Sequence, residues 1–256
     1  MTKRISTDVL GIQVDCLVPE AAVRRIMAWA QQRKSRYVVF ANAHVIVTAS
    51  RDEEFASVIS GADMIAADGA SVAWLIRRTS GFDQKRVCGP DLMIALLSRC
   101  EQESLPVYLF GSSPLTLGLL VSRLLTLFPS LHIAGFESPP FRAASDAEDE
   151  ASIARINASG AGLVFVGLGC PKQEQWMRAH RGAVNAAMLG VGAAFDYHAG
   201  TLLRAPAWMR VAGPEWLYRL SVEPRRLWRR YLVTNTLFVW GALCQIYRSK
   251  FPCSFV

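Results

Sequence analysis

The chain has 256 residues, about half of them hydrophobic, and a formal net charge of +7. That length suits one α/β domain, or one domain with an appendage, and the apolar share excludes the composition of a disordered chain. Residues 1–203 carry 19 Lys+Arg against 19 Asp+Glu, and residues 204–256 carry 9 against 2. This distribution argues against a nucleic-acid-binding surface and for an anionic surface met by one end only.

The six cysteines, Cys16, Cys88, Cys100, Cys170, Cys244 and Cys253, form no C-x-x-C pair. None lies near another at metal-ligand spacing. Met1 to Gln13 has no apolar core of a signal peptide. A reducing, cytosolic compartment is the expectation. The apolar stretch 231–247 is interrupted by Thr234, Asn235, Thr236 and Gln245. It falls short of the roughly 20 apolar residues a spanning helix needs.

In chain order, Tyr37 to Ala41 is a β-rich run ending at Asn42, with a helix expected over 44–50. Residues 63–67 form a second run, closed by Asp68-Gly69 and followed by a helix over 71–77. Gly89-Pro90-Asp91 opens a helix over 92–100. The run 106–110 stops at Gly111-Ser112-Ser113-Pro114, before a helix over 115–128. Residues 132–136 read as a weak strand, and 145–157 as an acidic-capped helix. Residues 163–166 stop at Gly167-Leu168-Gly169, before a helix over 173–180, and 187–191 form the last strand.

Continuous apolar strands, each closed by Gly or Asp-Gly and followed by a helix, predict a Rossmann-like parallel sheet with helices on both faces. Ligands in such sheets bind beyond the carboxyl ends of the strands. Composition changes near Arg204. The expected division is a catalytic domain over 1–203 and a helical, basic, Trp-rich, membrane-proximal appendage over 204–256.

Several strand ends carry chemistry. The small residues Gly111-Ser112 let backbone N–H groups approach phosphate oxygens at a helix N-terminus; an ordinary strand-to-helix turn reads the same. Gly167-Leu168-Gly169-Cys170-Pro171-Lys172-Gln173-Glu174 begins like a dinucleotide fingerprint but lacks its third glycine. Lys172 and Gln173 suit phosphate or sugar, and equally a polar loop. Asp68 faces the expected crevice and suits a general base, or else an Asp-Gly turn. Asp196 has the same two readings. The four histidines, 44, 132, 180 and 198, show no metal-binding pair, so no metal is expected.

In the tail, Arg204, Arg210, Arg219, Arg225, Arg226, Arg229 and Arg230 interleave with Trp208, Trp216, Trp228 and Trp240. Arginine forks grip phosphate, and Trp favours membrane interfaces. On one helix running from Glu215, positions 219, 226 and 230 share a face.

Taken together, Phe40-Ala41-Asn42-Ala43-His44, Ala67-Asp68-Gly69, Gly89-Pro90-Asp91-Leu92, Gly111-Ser112-Ser113, Gly167 to Glu174, Gly190 to Asp196, Arg204-Ala205-Pro206, Gly213 to Leu220 and Glu223 to Arg226 resemble the WecG/TagA/CpsF family (glycosyltransferase family 26). The resemblance spans residues 12–231. It implies an inverting, metal-independent transferase without cofactor. Such an enzyme moves a sugar, glucose favoured, from a UDP-sugar to a polyprenyl-diphosphate-linked sugar in surface-polysaccharide synthesis. It implies Asp68 as base and Asn42, Gly69, Gly111, Ser112, Gly167, Gly169, Lys172, Gln173 and Glu174 about the donor. Arg219, Arg226 and Arg229 are the implied contacts to the acceptor diphosphate. The implied setting is peripheral, on the anionic cytoplasmic face of the membrane, with no nucleic-acid partner and homo-oligomerisation open. Phe40 departs from the pattern, because several members carry Thr there. N-acetylmannosamine or its uronate is the alternative donor sugar. A nucleotide-binding module without chemistry and a nicotinamide dehydrogenase are readings of other classes.

Overall fold

The computed structural model describes residues 4–142 and 144–250. The chain opens with an antiparallel hairpin, β1 (Ser6–Val9) and β2 (Ile12–Asp15), then α1 (Pro19–Gln31), β3 (Arg36–Ala41), α2 (Ala43–Ala49) and α3 (Glu53–Ser60). β4 (Met64–Ala67), α4 (Ala70–Ser80), α5 (Gly89–Gln102), β5 (Val107–Gly111), α6 (Pro114–Leu127) and β6 (Ile133–Glu137) follow. The second half is α7 (Asp146–Ala158), β7 (Leu163–Gly167), α8 (Lys172–Ala179), β8 (Ala187–Gly190), α9 (Ala194–Ala199), α10 (Ala207–Ala212), α11 (Glu215–Val222) and α12 (Pro224–Lys250).

The six strands β3 to β8 form one parallel sheet in the order β4-β3-β8-β7-β5-β6. Alternate residues of each strand serve opposite faces. Val39, Ala41, Ile65, Phe110, Val166 and Met188 enter one buried cluster, joined by residues of α2, α3, α4 and α12. Val38, Phe40, Met64, Leu109, Phe165 and Leu189 enter the other, under α1, α5, α6 and α9. Burial on both faces is why these strands read as unbroken apolar runs. Phe40 is thus a core residue, packed near Gly89.

The hairpin protects the β4 edge. The buried carboxylate of Asp15 accepts the Ile65 N–H at 2.7 Å and pairs with Arg4 at 2.7 Å. The other edge, β6, leaves Phe136 half exposed.

The C-terminal helices correct one expectation: Arg219 and Arg226 do not share a helix. α11 ends at Val222, and Glu223 takes φ −127° and ψ 56° before Pro224 begins α12. Proline disfavours helical backbone in the residue before it and has no N–H to continue the ladder, while it fits a first turn well. α12 then runs 27 residues, about 40 Å at 1.5 Å per residue. Its inner stripe, Leu227, Thr234, Phe238 and Ala242, is buried, and the helix packs chiefly on α2. Near its end, Gln245 donates to the Asp8 carbonyl at 2.7 Å and accepts the Leu10 N–H at 3.0 Å. The opposite stripe, Trp228, Leu232, Val239, Trp240, Leu243 and Tyr247, is exposed. Among the described residues no helix is long and apolar enough to cross a membrane.

Candidate active site

The carboxyl ends of β4 and β3 bring Asp68, Gly69 and Asn42 together. Asn42 caps α2, its side-chain oxygen accepting the Val45 N–H at 3.1 Å. Gly69 has φ +97°, a region open to glycine and strained for other residues. It turns the chain from β4 straight into α4 and leaves Asp68 at the mouth of the crevice. Asp68 is only partly buried, its side chain 19% exposed, and sits 3.5 Å from Arg86 Nε. Burial is the largest influence on its carboxyl and pushes it up; Arg86 pulls it down and Glu215 pushes it up again. The result is about 6. Such a group is ionised at neutral pH yet basic enough to accept a proton there.

Arg86 is the chief residue that the sequence reading missed. Its Nη2 lies 2.6 Å from Glu215 Oε2 on α11, and its Nη1 donates to the Arg210 carbonyl at 3.2 Å on α10. One guanidinium therefore ties the last helices to the carboxylate that closes β4. No local pattern marks it, although it stands just before the Gly89-Pro90-Asp91 helix start. Asp91 is likewise joined to the tail, through Arg204 Nη1 at 2.5 Å.

The neighbouring strand ends approach closely. Gly111 has φ +121°, and a Cβ there would lie 2.6 Å from the Gly167 carbonyl carbon. β5 and β7 can lie this close because Gly111 has no side chain, while a Cβ on Gly167 would strike the Phe195 ring at 2.6 Å. Ser112, at φ +60°, donates its N–H to the Gly167 carbonyl at 3.0 Å and accepts from the Ser138 hydroxyl at 2.6 Å. Lys172 opens α8 and is exposed.

Gln173 and Glu174 are buried. The Gln173 amide accepts the Gly169 N–H at 3.2 Å and donates to the Gly190 carbonyl and to Glu174 Oε1, both at 2.8 Å. It bridges the ends of β7 and β8, and its polar atoms are already engaged within the protein. Burial raises the Glu174 carboxyl.

The appendage arginines divide. Arg219 stands over the Tyr197 ring at 5.9 Å and is close enough to Asp68 to stabilise its charge. Arg226 is paired with Glu223 at 2.5 Å, and Arg229 lies over Trp228 at 5.2 Å. Arg230, which the sequence set on a face with Arg219 and Arg226 but which the resemblance did not name as an acceptor contact, acts on His44 and Cys170. Burial first, and Arg230 second, hold His44 down near 4, so its imidazole is neutral at pH 7. The Nε atoms of Arg86, Arg204, Arg210, Arg219 and Arg230, and Nδ1 of His44, are buried without a hydrogen-bond partner. Unpaired buried donors are costly; of these residues Arg86 and Arg219 act on Asp68, Arg204 and Arg210 on Asp91, and Arg230 on His44. Asp196 accepts weakly from Thr201 at 3.3 Å, and burial raises its carboxyl.

A cavity of about 540 Å³ opens at the carboxyl ends of β5, β6 and β7, lined by Phe110, Ser112, Glu137, Phe141, Lys172 and Trp176. Two strands, β3 and β8, separate β4 from β7 in the sheet. Asp68 therefore stands about 14 Å from the cavity's near edge at 4.8 Å per strand. Among the described residues no three His, Cys, Asp or Glu side chains gather as a metal site requires.

A parallel sheet with helices on both faces and its polar groups at the strands' carboxyl ends is a Rossmann-like α/β protein with a ligand crevice. A model of the glycosyl transferase WecG/TagA/CpsF family matches residues 7–251. The chain belongs to that family and is a glycosyltransferase.

Proposed function

We propose that the protein transfers a sugar, glucose favoured, from a UDP-sugar to a polyprenyl-diphosphate-linked sugar, with inversion and without a metal. The observation that carries this reading is the pair of arginines, Arg86 and Arg219, acting on Asp68, a carboxylate whose pKa is about 6. Arginine suits a diphosphate, and a near-neutral carboxylate suits a hydroxyl that must lose its proton.

In this reading Asp68 takes the proton of the acceptor hydroxyl. The freed oxygen attacks the anomeric carbon from the face opposite the diphosphate, the bond to UDP breaks, and the configuration inverts. The nucleoside occupies the cavity near Ser112 and Glu137, with its diphosphate crossing the ends of β7 and β8 towards Asp68. Lys172 and the N-terminus of α8 meet the charge of the departing UDP. Gln173 keeps the two glycine loops at their spacing. Arg219 holds the acceptor diphosphate, with Arg226 and Arg229 recruited from their present partners.

The exposed stripe of α12 rests on the cytoplasmic membrane face, its Trp and Leu residues among the head groups and its arginines on anionic lipid. The test is incubation with labelled UDP-glucose, or UDP-N-acetylmannosamine, and a prenyl-diphosphate-linked sugar in lipid vesicles. Labelled lipid product that disappears with Asp68→Asn is the expected result. Product formed at the normal rate by that variant would refute Asp68 as the base.

A further inference from the structure

Arg86 does not meet Asp68 as arginine ordinarily meets a carboxylate. The favoured arrangement is a two-pronged contact at about 2.7–2.9 Å. Here only Nε faces Asp68, at 3.5 Å, and that nitrogen makes no hydrogen bond. The prongs point elsewhere: Nη2 to the Glu215 carboxylate and Nη1 to the Arg210 carbonyl. Both of these partners come from the C-terminal helices. The three side chains are sheltered from water, Arg86 22%, Asp68 19% and Glu215 16% exposed, so their mutual charges are weakly screened. The remaining charged or titratable groups acting on this cluster are Arg219 on α11, Arg204 and Tyr197 near Glu215, Cys88 at the start of α5, and Asp91, which acts on Arg86 directly and through Cys88.

We propose that Glu215 is a positioning residue that draws the fork of Arg86 away from Asp68, so that the carboxylate is free to take a proton only while α11 is docked. With α11 undocked, or Glu215 neutral, the Arg86 fork closes on Asp68 and turns the base into half of an ion pair. The placement of the C-terminal helices, which also carry the exposed apolar stripe of α12, would then set the strength of the base. This inference rests on the transferase reading for its consequence, but its physical core, the competition of two carboxylates for one guanidinium, does not.

The experiment follows Asp68 directly by 13C carboxyl titration of the full chain without substrate. In parallel it follows the pH dependence of kcat/KM for wild type, Glu215→Gln, Arg86→Met and the double variant. Glu215→Gln is expected to lower the Asp68 midpoint by about one pH unit, as a closer opposite charge does. The acidic limb of the rate profile should move with it, and the plateau should fall several-fold while KM for the donor stays unchanged. With Arg86 replaced by Met, the same change should move the midpoint less than half as far. A midpoint that stays put in Glu215→Gln overturns the proposal. So does an equal shift with and without Arg86, which would mean that Glu215 acts on Asp68 through space alone. Should Glu215→Gln fail to fold, Glu215→Asp keeps the charge but shortens the reach, and the same lowered midpoint is expected. An active Asp68→Asn enzyme would remove the assigned base, yet the substrate-free titration would still decide the role of Glu215.

Discussion

The sheet and the C-terminal helices are built on opposite terms. In residues 1–203 the charges cancel, and the strands are sealed on both faces by two apolar clusters. In residues 204–256 the excess charge is the whole +7 of the chain, and α12 leaves Trp228, Leu232, Val239, Trp240, Leu243 and Tyr247 exposed. A sheet closed on both sides is a rigid frame, and its variable chemistry is confined to the strand ends. A helix with one stripe buried and the other bare is half-docked by design. The body supplies a carboxylate, the tail supplies the cations around it, and Arg86 is the seam.

That division can be broken experimentally. The largest effect should fall on the body: Asp68→Asn is expected to lower turnover by about 10²–10⁴-fold, the contribution of a positioned general base. Its melting temperature should stay near wild type, read by steady-state kinetics and calorimetry. Next comes the bare stripe of α12. Replacing Leu232, Trp240 and Leu243 together by Gln should weaken binding to anionic vesicles by at least ~10-fold, from lost apolar burial. Flotation would measure this, and turnover on a water-soluble acceptor should be kept. Arg219→Ala should raise KM for the lipid acceptor by about 10-fold, the worth of one charged hydrogen bond, with smaller change towards the UDP-sugar. A smaller effect tests the docking of the far end of α12 on the hairpin. Gln245→Ala removes the bonds to Asp8 and Leu10 and should cost about 1 kcal/mol, seen as a lower denaturation midpoint. The pH profile sharpens the comparison without mutation. Asp68 works ionised and titrates near 6, so kcat/KM should rise with pH through 6 and level off above it.

The frame was readable because its rules are local. Tyr37 to Ala41, residues 163–166 and residues 187–191 are apolar runs stopped by Asn or Gly, and the structure places strands there within a residue or two. The hairpin Ser6–Val9 and Ile12–Asp15 escaped notice, since two four-residue polar-apolar strands around Leu10-Gly11 carry little pattern. So did α1 and α3, whose meaning comes from the sheet they cover. At the site, Asp68, Asn42 and Gly69 announced themselves at strand ends. Arg86 and Glu215 did not, because their partners lie 18 and 129 positions away in the chain, and only tertiary folding joins them. Position alone nominated Gln173; the structure gives its amide three bonds inside the protein, a detail no spacing encodes. The arginine register read along one helix failed at Pro224, a break visible in the sequence but discounted there.

Asp15 carries a further consequence, for life at high local concentration. A parallel sheet ends in a row of N–H and C=O groups that any passing strand can copy. By spending a buried carboxylate on the Ile65 N–H and bracing it with Arg4, the hairpin takes a backbone donor of β4 out of circulation. Where copies crowd together, such an edge risks sheet-to-sheet adhesion. Asp15→Ala would therefore be felt first as loss of solubility in concentrated samples.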